Sequence, residues 1–182
     1  RQMCIRDSAD AISPYEPTIS GGSVGTVYWS YTAGINNYNG IEPEFSFAAD
    51  LNVLDLDGDT FADTIYAGDT GGNIWRFKVN GADKTAWNGT ILFKSNPGAD
   101  GSTGRKIFYR PTVAYVGAPH LYFGTGDREH PLNLSTEDRM YCLIDWGSDG
   151  TFPVTEADLV DVTLNTIQQA DTNTTTVQGI YD

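Results

Sequence analysis

Four aspartates, Asp55, Asp57, Asp59 and Asp63, fall within the nine residues of the segment DLDGDTFAD. Carboxylates at alternate places of a loop can converge on one point, and the seventh residue, Phe61, can add its backbone carbonyl. The result is a set of hard oxygen donors suited to Ca2+. The segment is not an EF-hand, which has glycine at the sixth place and a bidentate glutamate at the twelfth; Thr60 and Tyr66 stand at those places here. The plainer reading is a solvated acidic turn. It is disfavoured because carboxylates so close together repel one another unless a cation sits between them. The expected metal set is therefore Asp55, Asp57, Asp59, the carbonyl of Phe61, and Asp63.

No other residues assemble a reaction centre. GGSVG (21–25) satisfies the G-x-S-x-G pattern of a hydrolase elbow and would make Ser23 a nucleophile. An elbow needs a strand before it and a helix after it, whereas TVYWSY follows and is strand-like. GTGD (124–127) lacks the third glycine of a dinucleotide loop and leads into REHP, so its glycines are read as strand-end residues. His120 and His130 are the only two histidines. Neither has evident partners for zinc or a catalytic triad, and both are expected as surface or loop residues. No catalytic residue, and no enzymatic activity, is expected.

Composition limits the partners. The 182 residues carry a net charge of -13, which provides no basic surface for phosphate backbones, so nucleic acid is not an expected partner. No stretch approaches the roughly 20 apolar residues of a membrane helix. No apolar signal-type segment opens the chain, so an export signal would lie outside it. The opening RQMCIRDS matches neither a signal peptide nor the polar, turn-rich text that follows. Back-translated, it resembles a transposase adapter used in sequencing libraries, and residues 1–8 are set aside as an adapter artefact or a disordered end, leaving 9–182 for fold reasoning. Cys4 goes with them. Cys142 then stands alone in RMYCLIDW and is expected as a small core residue.

The elements that would position the acidic loop are strands. Glycine and tyrosine are abundant, Asx-Gly pairs recur, and long runs of helix formers are absent, which favours an all-β fold. NIWRFKV alternates with period two: Trp75, Phe77 and Val79 fall on one face, and Ile74, Arg76 and Lys78 on the other, as in a half-buried strand. With TIYAG and the turn DTGG before it, the segment Thr64 to Val79 reads as a hairpin. A second copy spans His120 to Trp146, with Tyr122 and Gly124 matching Tyr66 and Gly68 at an offset of 56 residues and a longer loop replacing the turn. GTVYWSY (25–31) and GTILFKS (89–95) read as outer strands. Such repeats suggest propeller blades, about three of a larger ring of 4–8. TEADLVDVT (155–163) is expected to form one short helical insertion, with Thr155 capping and Asp158 answering it.

The combination of DLDGDTFADTIYAGDTGGNIWRFKV, RPTVAY (110–115) and LYFGTGDREHP (121–131) resembles the C-terminal propeller of PilY-type type IV pilus biogenesis factors and tip adhesins, over roughly residues 25–146. Calcium loops closed by an aspartate at the ninth place are known from inserts in β-propellers, and the family's ligands carry over to Asp55, Asp57, Asp59 and Asp63 with the Phe61 carbonyl. The resemblance implies a partial β-propeller that is secreted through the periplasm to the pilus tip or outer membrane. It also implies minor pilins or the pilus tip as partners, with roles in pilus extension, twitching motility and surface adhesion. A host or surface ligand would be met through regions outside this chain. One departure is that related loops have glycine at the sixth place, where positive φ is wanted, and this chain has Thr60 there. VYWSY and GNIWRF also resemble blades of quinoprotein dehydrogenases, although the vicinal cysteine pair common in those enzymes is missing. A general extracellular glycan- or protein-binding propeller is the third reading.

Overall fold

The computed structural model describes residues 3–6, 27–31, 41, 43–96, 104–147 and 152–163. Ser23 and the Thr-rich stretch after residue 163 lie outside the described residues. The fold is all-β, and among the described residues the only helical turns are two short 3-10 turns, Lys84–Ala86 and Glu156–Asp158. The strands are β1 (Met3–Arg6), β2 (Val27–Tyr31), β3 (Asn52–Leu54), β4 (Thr64–Gly68), β5 (Asn73–Lys78), β6 (Asn88–Lys94), β7 (Thr112–Tyr115), β8 (Pro119–Gly124), β9 (Met140–Ile144) and β10 (Val154–Thr155). They form three sheets. β1 pairs with β2, so part of the segment set aside at the start of the chain runs as a strand. The central sheet has the order β10-β6-β5-β4-β3, and the third sheet the order β7-β8-β9.

Four strands of the central sheet, β3 to β6, form an antiparallel meander. β10 joins its β6 edge in parallel. The register Ile65↔Phe77 and Ala67↔Trp75 alternates with Tyr66↔Arg76 and Gly68↔Ile74, so each face of the hairpin receives its own set of side chains. On one face, Trp75, Phe77, Ile65 and Ala67 pack with Trp29 and Tyr31 of β2. The rings of Trp75 and Phe77 stack with centroids 5.8 Å apart, and Tyr31 meets Phe77 edge-on at 5.3 Å. Gly89 is required here, because a Cβ would come within 2.7 Å of the Phe77 ring. On the other face, Tyr66, Ile74, Leu92 and Phe93 pack against Leu121, Phe123, Tyr141 and Leu143 of the third sheet. A register shift between Ile74 and Trp75, opposite Phe93 and Ile91, leaves Leu92 as the extra residue of a bulge. Each large side chain buried in these clusters contributes on the order of 1.5–3 kcal/mol.

The structure corrects three expectations. β5 is not half-buried: Ile74 and Arg76 are as enclosed as Trp75 and Phe77, because a sheet covers each face. The insertion at 155–163 is helical only over the single 3-10 turn Glu156–Asp158. Asp158 does answer Thr155, its Oδ2 accepting from Thr155 N and Oγ1 at 2.8 Å. The turn nevertheless ends after three residues, with Leu159 already extended and β-branched Val160, Val162 and Thr163 following. Cys142 is exposed, because Tyr141 and Leu143 take the inward places of β9 and Cys142 falls on the outer face.

The central and third sheets are also joined by a buried polar contact. Arg76 Nη1 lies 2.6 Å from Asp145 Oδ1, both residues 2% exposed, and Tyr66 donates its hydroxyl to Asp145 Oδ2 at 2.7 Å. Burial, and secondarily the hydrogen bond to Asp145, raise the Tyr66 pKa far above its usual value.

Candidate metal centre

The acidic loop connects β3 to β4, and its ends are fixed by main-chain bonds. Asp63 N donates to Leu54 O at 2.9 Å, closing the corner, and Val79 N donates to Asp63 O at 2.8 Å. Between these points the aspartates fold the loop around themselves. Asp55 accepts from Gly58 N at 2.7 Å and from Thr60 N at 2.8 Å. Asp57 accepts from Asp59 N at 3.0 Å, and Asp59 from Phe61 N at 2.8 Å. Asp63 Oδ2 accepts from Leu56 N at 2.6 Å and Asp57 N at 3.3 Å. The bonds of Asp57 and Asp59 are Asx-type turns, in which a short carboxylate organises the backbone two residues on, whereas Asp63 reaches back across the loop to Leu56 and Asp57.

The structure brings three of the four aspartates together. One carboxylate oxygen from each of Asp55, Asp57 and Asp63 lies within 4.8 Å of the others. Asp59 is outside that trio, and its Oδ1 is turned to the Phe61 amide. The Phe61 side chain is exposed, so it gives the loop no apolar anchor. Asp55 and Asp57 are exposed and Asp63 half-buried. Among the described residues no Lys or Arg pairs with any of the four, so their charge is uncompensated within the loop. Each carboxylate oxygen that accepts one amide retains a second lone pair. Three anionic oxygen donors on a short loop fit a calcium ion, with water or main-chain oxygens completing the shell.

The sixth place behaves as the ligand pattern demands. Thr60 has φ +79°, and it is the only non-glycine residue with positive φ among the described residues. A β-branched residue in this region is a conformational outlier and costs about 1–2 kcal/mol. Gly58, two places earlier, also has positive φ, at +82°.

A second cluster looks similar in composition and differs in charge balance. Asp127, Glu129 and His130 also bring their ligand atoms together, in the loop between β8 and β9. Here Lys106 Nζ lies 3.0 Å from Asp127 Oδ2 and 3.2 Å from Glu129 Oε2. Asp127 also accepts from the amides of Glu129 and His130. Desolvation raises the Asp127 pKa, but the bonds from Lys106, those two amides and the His130 ring outweigh it and bring the pKa down to about 2. An ammonium already occupies the place of a cation, so this cluster anchors a loop. His120 is likewise a structural residue, its Nδ1 2.9 Å from Ala118 O.

Sequence reasoning missed two buried polar residues, Asp69 in the hairpin next to the acidic loop and Asp145 just after β9. Asp69 is fully buried. Its carboxylate accepts from Gly71 N at 2.9 Å, Asn73 N at 3.0 Å and Trp75 Nε1 at 2.8 Å, closing the β4–β5 turn. Burial raises its pKa despite those bonds. The run Asp-Thr-Gly-Gly-Asn with tryptophan two places on carries the signal for this turn. Asp145 has no such local signal, because its partners are 69 and 79 residues away in sequence.

Among proteins of known annotation, the chain is similar to a type IV pilus biogenesis factor PilY1 homolog of Xylella fastidiosa (strain Temecula1). The two are 30% identical over 138 residues, covering 60% of this chain and 9% of the relative. The chain therefore spans less than a tenth of that relative's length. No family model and no solved structure matches. No helix among the described residues is long and apolar enough to cross a membrane.

Proposed function

We propose that this chain is a calcium-binding part of a type IV pilus biogenesis or tip factor, acting without catalysis in pilus extension, twitching motility and adhesion. The observation that carries the proposal is the convergence of Asp55, Asp57 and Asp63 within 4.8 Å, with no cationic side chain among the described residues to balance them. The similarity to a PilY1 homolog supports the pilus context, and with it an exported, cell-surface location and minor pilins or the pilus tip as partners. The ion would be held by Asp55, Asp57 and Asp63, with Asp59 and the Phe61 carbonyl as the remaining candidates. Its chemistry is charge neutralisation and loop ordering.

The stacked sheets support a partial β-propeller. The meander β3 to β6 has the form of one blade, and β7 to β9 repeat its first three strands against its face. Tyr122 and Cys142 stand on the outer face of the third sheet, at the places where Tyr66 and Arg76 of the central sheet meet their neighbour. A further blade would cover that face in the same way.

The test is made in a piliated bacterium whose own full-length factor carries this segment. Asp57→Ala should leave the factor secreted and impair twitching in a way that added calcium does not restore. Wild-type twitching at all calcium levels in that variant would refute the role of the loop.

A further inference from the structure

The acidic loop stands next to the contact that docks one sheet on another. Asp63 contributes a carboxylate to the trio while its main chain is fastened to Leu54 at the end of β3 and to Val79 after β5. The next residue, Thr64, lies opposite Lys78, and two residues on Tyr66 lies opposite Arg76. Three of these side chains reach the same corner of the third sheet. Lys78 Nζ donates to Gly147 O at 3.2 Å, while Arg76 and Tyr66 hold the two oxygens of Asp145. The corner is closed on itself, with Gly147 N donating to Asp145 Oδ1 at 2.8 Å and Asp145 N to Pro119 O at 2.9 Å.

We infer that the Asp145–Gly147 corner is a clasp through which metal occupancy of the loop governs how firmly the third sheet docks on the central one. The inference rests on the calcium reading of the loop. Without a cation the gathered carboxylates repel one another, and the strain falls on Asp63, which joins the loop to β4. Loosening there displaces Tyr66 and, through its cross-strand pair, Arg76. Asp145 is buried and tolerates no such shift, because a buried carboxylate deprived of its donors is strongly disfavoured. A bound cation removes the repulsion and holds the register that satisfies Asp145. Coupling of this kind is reciprocal, so weakening the clasp must weaken calcium binding by the same factor.

The experiment combines calcium titration calorimetry with amide hydrogen exchange on the full chain and on two variants, Tyr66→Phe and Lys78→Met. Each removes one polar contact of the clasp, touches no aspartate of the loop and spares the buried charge pair. Calcium should slow exchange in β8, in β9 and at 145–147 as well as in 54–79, and each variant should bind calcium about fivefold or more weakly. Calcium binding at unchanged affinity in both variants, with protection confined to 54–79, would overturn the clasp and leave the calcium site standing. No calcium binding by the unsubstituted chain would remove the site and the clasp together.

Discussion

The hairpins at 64–79 and 119–146 begin from one strand pattern and end in different surroundings. Tyr66 and Tyr122 occupy corresponding places, yet the first is 1% exposed and the second 39%. The strands of the first lie between two sheets. Among the described residues, those of the second have a neighbour on one face, and β9 alternates exposed and buried along its length. Their connections differ in the same sense. Residues 69–72 turn tightly around a buried carboxylate, whereas 125–139 form a long loop held at its base by Lys106 and Asp127 and carrying Leu132 and Leu134 almost fully exposed. Alternation in a strand thus determines which residues share a face, and the neighbouring sheets determine whether that face is wet. Arg76 falls on the face expected to meet solvent and is buried because Asp145 meets it there.

The largest effect should come from breaking that contact. Asp145→Ala removes the buried carboxylate that meets the enclosed Arg76 guanidinium at 2.6 Å and should cost about 3–5 kcal/mol in urea unfolding. Cys142→Ala, on the exposed face of the second hairpin, should stay within about 0.5 kcal/mol of the parent. Similar losses for the two would show that the hairpins are equally enclosed and undo the comparison.

Next is the turn of the first hairpin. Trp75→Phe keeps an aromatic ring beside Phe77 and removes the indole donor from Asp69, leaving a buried acceptor short of one partner. A loss of about 1–3 kcal/mol is expected in the same assay. An unchanged midpoint would mean that the Trp75–Asp69 bond contributes nothing to closing the turn.

Thr60→Gly relieves the positive φ at the sixth place, worth about 1–2 kcal/mol, against an added unfolded-state entropy of about 0.5–1 kcal/mol. The variant should be slightly more stable than the parent and bind calcium more tightly. Weaker binding would show that the threonine side chain takes part in the site.

The smallest effects should appear with pH, and in opposite directions for the two hairpins. The Asp127 pKa is depressed to about 2, so its contribution to holding the long loop is complete above the unfolded value near 3.8 and is lost as pH falls toward 2. Amide exchange at Glu129 and His130, corrected for intrinsic rates, should lose protection across that window. The Asp69 pKa is raised by burial. Its charge opposes folding above the folded-state value, and protonation relieves that opposition as pH falls through it. Loss of protection in the 69–73 turn before the long loop on acidification would reverse the assignment.

Much of this was legible in the sequence. Period-two alternation and the 56-residue repeat located β4, β5, β8 and β9, and the carboxylate spacing located the loop that gathers Asp55, Asp57 and Asp63. The rest depends on contacts that no local pattern carries. β10 joins β6 in parallel across more than fifty residues, and Thr155 and Asp158 formed their cap while the residues beyond favoured extended backbone. Asp59 has the same spacing as its neighbours and, like them, accepts a backbone amide, yet its carboxylate falls outside the trio, a difference that spacing does not carry.

The central claim, that the loop holds calcium, is tested most directly by titrating Ca2+ into the full chain and into Asp57→Ala by calorimetry, with Asp59→Ala alongside. Extracellular calcium modules bind in the range of about 10⁻⁴ to 10⁻³ M, and the strained Thr60 argues for that end of the scale. The account predicts one saturable site in the parent, its loss in Asp57→Ala and a smaller loss in Asp59→Ala. Equal heats in the parent and in Asp57→Ala, or no binding in either, would contradict it.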